Sequence, residues 1–138
     1  EDPECARLPH RFPWRLAGVL SQRQVARLMS EVDVFVDLSS HQAMGLTALE
    51  AMACGVATIV PCNGGATSFA RHMVNSLVVD TASTAQCWRA LKRLIEQTDL
   101  RERLRRQALV DVCEFYPERA AYYILEALLG APGGRRHD

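Results

Sequence analysis

Two segments of the sequence bring glycine to the start of a helix-forming run. Residues 39–45 (SSHQAMG) lead into residues 46–54 (LTALEAMAC), and residues 61–66 (PCNGGA) lead into residues 66–71. The first turn of a helix has backbone N–H groups without intrahelical acceptors and carries partial positive charge, so it attracts anions such as phosphate. Gly45 in the first loop, and Gly64 and Gly65 in the second, would let the main chain approach such a group closely. The same glycines also suit plain tight turns, and neither loop has the glycine spacing of a mononucleotide or dinucleotide fingerprint. Glu50 is the one carboxylate within its apolar run. A carboxylate accepts two hydroxyl hydrogen bonds, a common way of holding a ribose or another sugar. Thr47-x-x-Glu50 equally spells a capping box, and on the sequence alone both readings stand. His41, beside Gln42, is placed to touch phosphate or sugar, although an ordinary loop histidine accounts for it. Ser39 and Ser40 have no His/Asp set around them that would make a hydrolase triad.

These side chains need a scaffold, and hydrophobic periodicity supplies one. Residues 15–20 (RLAGVL), 34–38 (VFVDL), 57–60 (ATIV) and 76–79 (SLVV) are short apolar or β-branched runs that read as buried strands. Between them, Ser21 caps a helix with Val25, Leu28, Met29 and Val32 on one face, and residues 46–54 form a second helix stopped by Gly55. Residues 66–71 are expected to make about one and a half helical turns. After Asp80 come three amphipathic helices, marked by Trp88, Leu91, Leu94 and Ile95, by Leu104, Ala108, Leu109 and Val112, and by Ala120, Tyr123, Ile124, Ala127 and Leu128. Trp14 and Trp88 are expected to pack on the sheet, His72 to sit at a helix end, and the arginines of residues 101–106 to face solvent. Alternating strands and helices predict an α/β domain with a Rossmann-like parallel sheet and flanking helices. Right-handed crossovers would put both glycine-bearing loops at the carboxyl edge, where ligands of such sheets bind.

Composition bounds the partners. The 138 residues are 49% hydrophobic and 23% charged, a globular balance, and 16 basic against 16 acidic residues leave no net charge for binding nucleic acid. Arg7, Arg11 and Arg15 form no motif. Five cysteines (Cys5, Cys54, Cys62, Cys87, Cys113) include no C-x-x-C pair, which argues against zinc or a disulfide framework and fits a reducing, cytoplasmic setting. Residues 1–14 read as an irregular segment, residues 15–130 as the folded domain and residues 131–138 as a disordered tail holding His137, with His10 solvated near the other end. The abrupt start suggests an excised piece.

The stretches VDVFVDLSS, QAMGLTALEAMACGVATIVPCNGG and HMVNSLVVD, above all LEAMACG in its context, resemble the donor-binding domain of the retaining family 4 (group 1) glycosyltransferases. The resemblance implies the C-terminal half of a GT-B fold and a nucleotide-sugar donor (UDP-, GDP- or dTDP-linked), with no metal and no tightly bound cofactor. It puts Glu50 at the second glutamate of the family's E-x7-E motif, which holds ribose hydroxyls. It puts Ala43, Met44, Gly45 and Leu46 where main-chain amides meet the donor sugar and diphosphate, Gly64 and Gly65 on the Gly-Gly loop bordering that cleft, and Asn75 at a structural turn.

The sequence also departs from the family pattern. Gln42 stands where the first glutamate of E-x7-E belongs, the catalytic-side position. Thr67 and Ser68 replace a glutamate after the Gly-Gly loop, Thr47 replaces a proline and Ser76 a glycine. Nothing before Leu16 matches the family's Arg/Lys diphosphate clamp, and the acceptor-binding domain is missing. The implied function is the donor-binding portion of a glycosyltransferase, inactive by itself. The alternative is a catalytically inactive glycosyltransferase-like module used for binding or scaffolding. Self-association of the fragment and a peripheral membrane contact through residues 101–106 are further expectations.

Overall fold

Val34–Val36, Ala57–Pro61 and Leu77–Val79, the most β-prone runs of the chain, form strands β1, β2 and β3 in the computed structural model, which describes residues 11–129. Cys5, Arg7, His10, His137 and the tail at 131–138 lie outside the described residues. The strands are all parallel in the order β1-β2-β3, with Val34 opposite Ala57 and Ile59 opposite Leu77. Every residue of β2 is buried, as a central strand covered on both faces must be.

Two layers cover the sheet. On one face Ile59, Leu77 and Val79 pack with Ala90 and Leu94 of α3 (Thr84–Glu96) and Leu100 and Leu104 of α4 (Thr98–Val112). On the other, Val60 packs with Ala48 and Met52 of α2 (Leu46–Ala53), with Ala66 and Phe69, and with Ala108. Helix α1 (Gln22–Ser30) begins at Ser21, whose backbone N–H donates to Gln24 Oε1 at 2.8 Å. It buries Met29 against Ala51 and Val56.

Four expectations are corrected. Residues 15–20 form no strand: Gly18 takes a left-handed φ of +68°, which interrupts an extended run, and Val19 is 98% exposed. The helix expected over 66–71 is a 3-10 turn, Gly65–Ser68, so His72 ends no helix; it bridges to Ser76 instead. Trp14 and Trp88 are exposed at 39% and 61%, because the sheet faces are already filled by aliphatic side chains. Of the arginines of residues 101–106, Arg103 and Arg106 are exposed as expected, but Arg101 and Arg105 are half-buried. Arg101 Nη1 donates to the carbonyls of Leu94 (2.8 Å) and Ile95 (3.3 Å), capping the end of α3, and Arg105 Nε donates to the carbonyl of Gly55 beyond the end of α2. The last helix, α5 (Pro117–Leu129), buries no residue.

Candidate functional site

The carboxyl ends of the three strands are tied by Asp37 N–H to the Ile59 carbonyl (2.9 Å) and Cys62 N–H to the Val79 carbonyl (2.8 Å), and the loops beyond them by further hydrogen bonds. After β1, Asp37 Oδ1 accepts the Ser39 N–H at 2.9 Å in an Asx turn, and Thr81 Oγ1, following β3, donates to the Ser39 carbonyl at 3.0 Å. After β2, the Gly65 N–H donates to the Gln42 carbonyl at 3.0 Å. The two glycine-bearing loops therefore touch. A Cβ on Gly64 would meet the Gln42 carbonyl oxygen at 2.5 Å, and one on Gly65 would run into the main chain of Ala43 and Met44. Close approach of two backbones is what this glycine pair provides.

Gly45 caps α2 in a left-handed conformation, φ +73°. The Ala48 and Leu49 N–H groups both donate to its carbonyl, at 3.1 and 3.2 Å, which leaves the Leu46 and Thr47 N–H groups with no acceptor among the described residues. These are the unpaired donors, at the positive end of the helix, that the loop reading anticipated. The Gln42 side chain lies over Gly45, and its Nε2 is buried with no hydrogen-bond partner among the described residues. A buried amide donor left open is costly unless a water or a ligand oxygen receives it.

Glu50 stands on a different side of α2. Ala48 and Met52 face Ala66 and Phe69 below the second loop; two residues after Ala48, Glu50 is turned about 200° around the helix axis. It is exposed, and it borders a hollow of about 200 Å³ with Leu20, Val25, Met29 and Cys54, between α1 and α2. The capping-box reading does not survive. The helix is capped by Gly45, not Thr47, and the Glu50 carboxylate takes no hydrogen bond among the described residues. His41 is exposed and likewise unpartnered.

The structure thus brings together Gln42, Ala43, Met44, Gly45, Leu46, Gly64 and Gly65, and sets Glu50 apart on the far flank of the same helix start. Sequence reasoning missed Leu20 as the wall opposite Glu50 and Thr81 as the tie from the third loop. Asp37-x-Ser39 was a readable Asx-turn signal; the tie from Thr81 across 42 positions was not. Among the described residues no cluster of three His, Cys, Asp or Glu could hold a metal ion, and no described helix is long and apolar enough to cross a membrane.

Comparison with known proteins gives this geometry a lineage. Residues 14–110 match the family model described as "Glycosyl transferases group 1". A D-inositol 3-phosphate glycosyltransferase of Salinispora arenicola is 33% identical over 72% of this chain, a stretch that is 22% of that protein. A 2-deoxystreptamine N-acetyl-D-glucosaminyltransferase of Streptomyces fradiae is 30% identical over 97% of this chain and 32% of its own length. The chain therefore spans between a fifth and a third of such relatives. Solved structures share the fold, among them these two. The sucrose-phosphate synthase of Thermosynechococcus elongatus has a TM-score of 0.73 at 23% identity, covering 85% of this chain and 30% of that one. The Anabaena protein HepE, solved in complex with UDP, has a TM-score of 0.70 at 23% identity, covering 75% of this chain and 29% of its own.

Proposed function

The chain belongs to the group 1 glycosyltransferases, and from that premise we propose that it is the donor-binding portion of a retaining enzyme that moves a sugar from a nucleotide-sugar to an acceptor. The domain is residues 15–130. One observation carries the reading: two loops locked by the Gly65-to-Gln42 bond border the unpaired N-terminus of α2, while a carboxylate without a partner stands on that helix's other flank. A nucleotide-sugar is an extended molecule with its negative charge in the middle, and it matches that order of groups.

The diphosphate meets the free N–H groups of Leu46 and Thr47 at the positive helix end, with no metal required. The ribose hydroxyls meet Glu50 above the hollow beside Leu20. The sugar lies towards Gln42, Ala43, Met44, Gly64 and Gly65, with His41 at the rim. UDP is the first donor nucleotide to try, since HepE is known with UDP; GDP and dTDP follow. The acceptor and the domain that binds it belong to the rest of a longer protein, so the chain by itself binds the donor without turning it over.

A second reading has its own observation. Gln42 puts a neutral amide where the resemblance implies a carboxylate, so a developing oxocarbenium-like charge loses the full negative charge that would stabilise it. The site would then bind a nucleotide-sugar without transferring it. Calorimetric titration of UDP, GDP and dTDP tests the shared part: Glu50→Ala should weaken binding about tenfold through the lost charge-assisted bonds. Equal affinity of wild type and variant would remove Glu50 from the site. Gln42→Glu in the longer parent separates the two readings, because a gain in donor hydrolysis supports an enzyme and no gain supports the binding module.

A further inference from the structure

A second hollow, of about 370 Å³, lies along β3 against α3, bordered by the Leu77–Val79 strand and by His72, Gln86, Arg89 and Arg93. None of these residues belongs to the donor loops. Among the described residues β3 pairs only with β2, so its outer edge is open and Val78 lines this hollow. The Val78 N–H is received by His72 Nδ1 at 3.0 Å. A neutral imidazole that accepts at Nδ1 carries its proton on Nε2, so His72 is left with a donor to spare.

The other side chains tell the same story. Gln86 Oε1 accepts the Asp80 N–H at 3.3 Å, which leaves the amide NH2 of Gln86 as its remaining function. Arg93 Nε donates to Gln97 Oε1 at 3.2 Å, and its two terminal nitrogens remain. Arg89 has no hydrogen bond or ion pair among the described residues. No carboxylate-bearing residue borders the hollow among the described residues; of the acids adjacent in sequence, Asp80 accepts the Ala82 N–H at Oδ1 (3.0 Å) and Glu96 pairs with Lys92 at 3.7 Å. Two arginines, a histidine and a glutamine thus border one depression, and each keeps N–H groups that take no acceptor among the described residues. Such a set recognises a tetrahedral oxyanion, and arginine forks fit phosphate in particular.

We propose that this hollow is a phosphate-binding site separate from the donor site, taking a phosphate group through Arg89, Arg93, His72 Nε2–H and the Gln86 amide. The phosphate is either that of a small soluble phosphoester or the headgroup of an anionic lipid. The test follows the side-chain NMR signals of His72, Arg89 and Arg93 in the 138-residue chain during titration with inorganic phosphate. A parallel arm measures co-sedimentation with phosphatidylglycerol vesicles against phosphatidylcholine vesicles.

Saturable shifts at these three residues with inorganic phosphate identify a soluble ligand. Retention on the phosphatidylglycerol vesicles without such shifts identifies a headgroup. In either arm, Arg89→Ala with Arg93→Ala should weaken binding at least about tenfold, as loss of charge-assisted bonds does. Gln86→Glu, which keeps the acceptor for Asp80 and adds a negative charge, should do the same, while Lys92→Ala should change nothing. The site is overturned if neither arm shows binding, or if binding persists unchanged in the double variant and in Gln86→Glu.

Discussion

Gly65 and Gly55 show how the same substitution acts by different physics at two positions. Gly55 ends α2 with φ +73°, and an added Cβ would meet the Leu109 side chain at ordinary contact distances, nearest Cδ1 at 3.5 Å. Gly55→Ala should therefore cost about 1 kcal/mol of backbone strain and leave ligand binding unchanged. An added Cβ on Gly65 instead runs into the backbone of Ala43 and Met44, which cannot rotate away. The loops must part, and the Gly65-to-Gln42 bond must break. Gly65→Ala should lower the thermal midpoint and also weaken UDP binding, whereas Gly55→Ala lowers the midpoint alone. A Gly65→Ala protein that binds UDP like the wild type would show that contact between the loops is irrelevant to the donor. Glu50 completes the contrast. It is exposed and unpartnered, so Glu50→Ala should leave the midpoint unchanged while reducing affinity.

Between elements, the connection from β2 to β3 is pinned to α4 through Asp111. Asn75 is fully buried; its Nδ2 donates to the Phe69 carbonyl (2.9 Å) and to Asp111 Oδ2 (2.7 Å), and its Oδ1 accepts the Arg71 N–H (2.7 Å). Arg71 Nη2 donates to the same Asp111 oxygen at 2.6 Å, and Gln107 Nε2 donates to the other at 2.9 Å. Burial tends to raise the Asp111 pKa, but the hydrogen bonds from Arg71, Gln107 and Asn75, with the charge of Arg71, hold it below the usual carboxylate value. A depressed folded-state pKa stabilises fully above the unfolded value of about 3.9, and that stabilisation is lost as pH falls through the folded value. Urea melts from about pH 6 to about pH 2 should therefore show a loss in the wild type that Asp111→Asn lacks. At neutral pH the variant should be weaker by about 1–2 kcal/mol, since the Arg71 side chain is 59% exposed and water screens its charge. An identical pH slope in both proteins would remove Asp111 from this role. Such ties mark the limit of what the sequence discloses. The parallel strands, α2 and its glycine stop were legible because period and β-branching are local signals. Arg105 reaching Gly55 across 50 positions, and His72 closing the Val78 N–H, depend on packing that no local pattern encodes. For Glu50 the residue was legible as a hydroxyl acceptor, but its flank was not, because helix rotation is set by which neighbours Ala48 and Met52 find.

At the scale of the molecule, α5 is the element that the domain uses least. Tyr122, Tyr123, Ile124, Leu125, Leu128 and Leu129 are all more than half exposed, apolar surface around the helix of the kind that association covers. The helix is joined to what precedes it by the Arg119–Glu114 ion pair at 2.7 Å, while Phe115, just before it, meets Phe69 edge-on at 6.0 Å. Both core layers close without any α5 side chain. Ending the chain at Tyr116 should then leave the thermal midpoint within a few degrees of the intact chain, because a change under about 1 kcal/mol moves a domain this size only that far. The apolar surface should instead show itself in mass. Light scattering over a range of concentrations should find the intact chain self-associating and the shortened one monomeric, with Leu125→Glu plus Leu128→Glu giving the same result without a truncation. A steep fall in the midpoint on shortening would make α5 part of the core stability. A monomeric intact chain at every concentration would mean that the exposed leucines recruit no second copy.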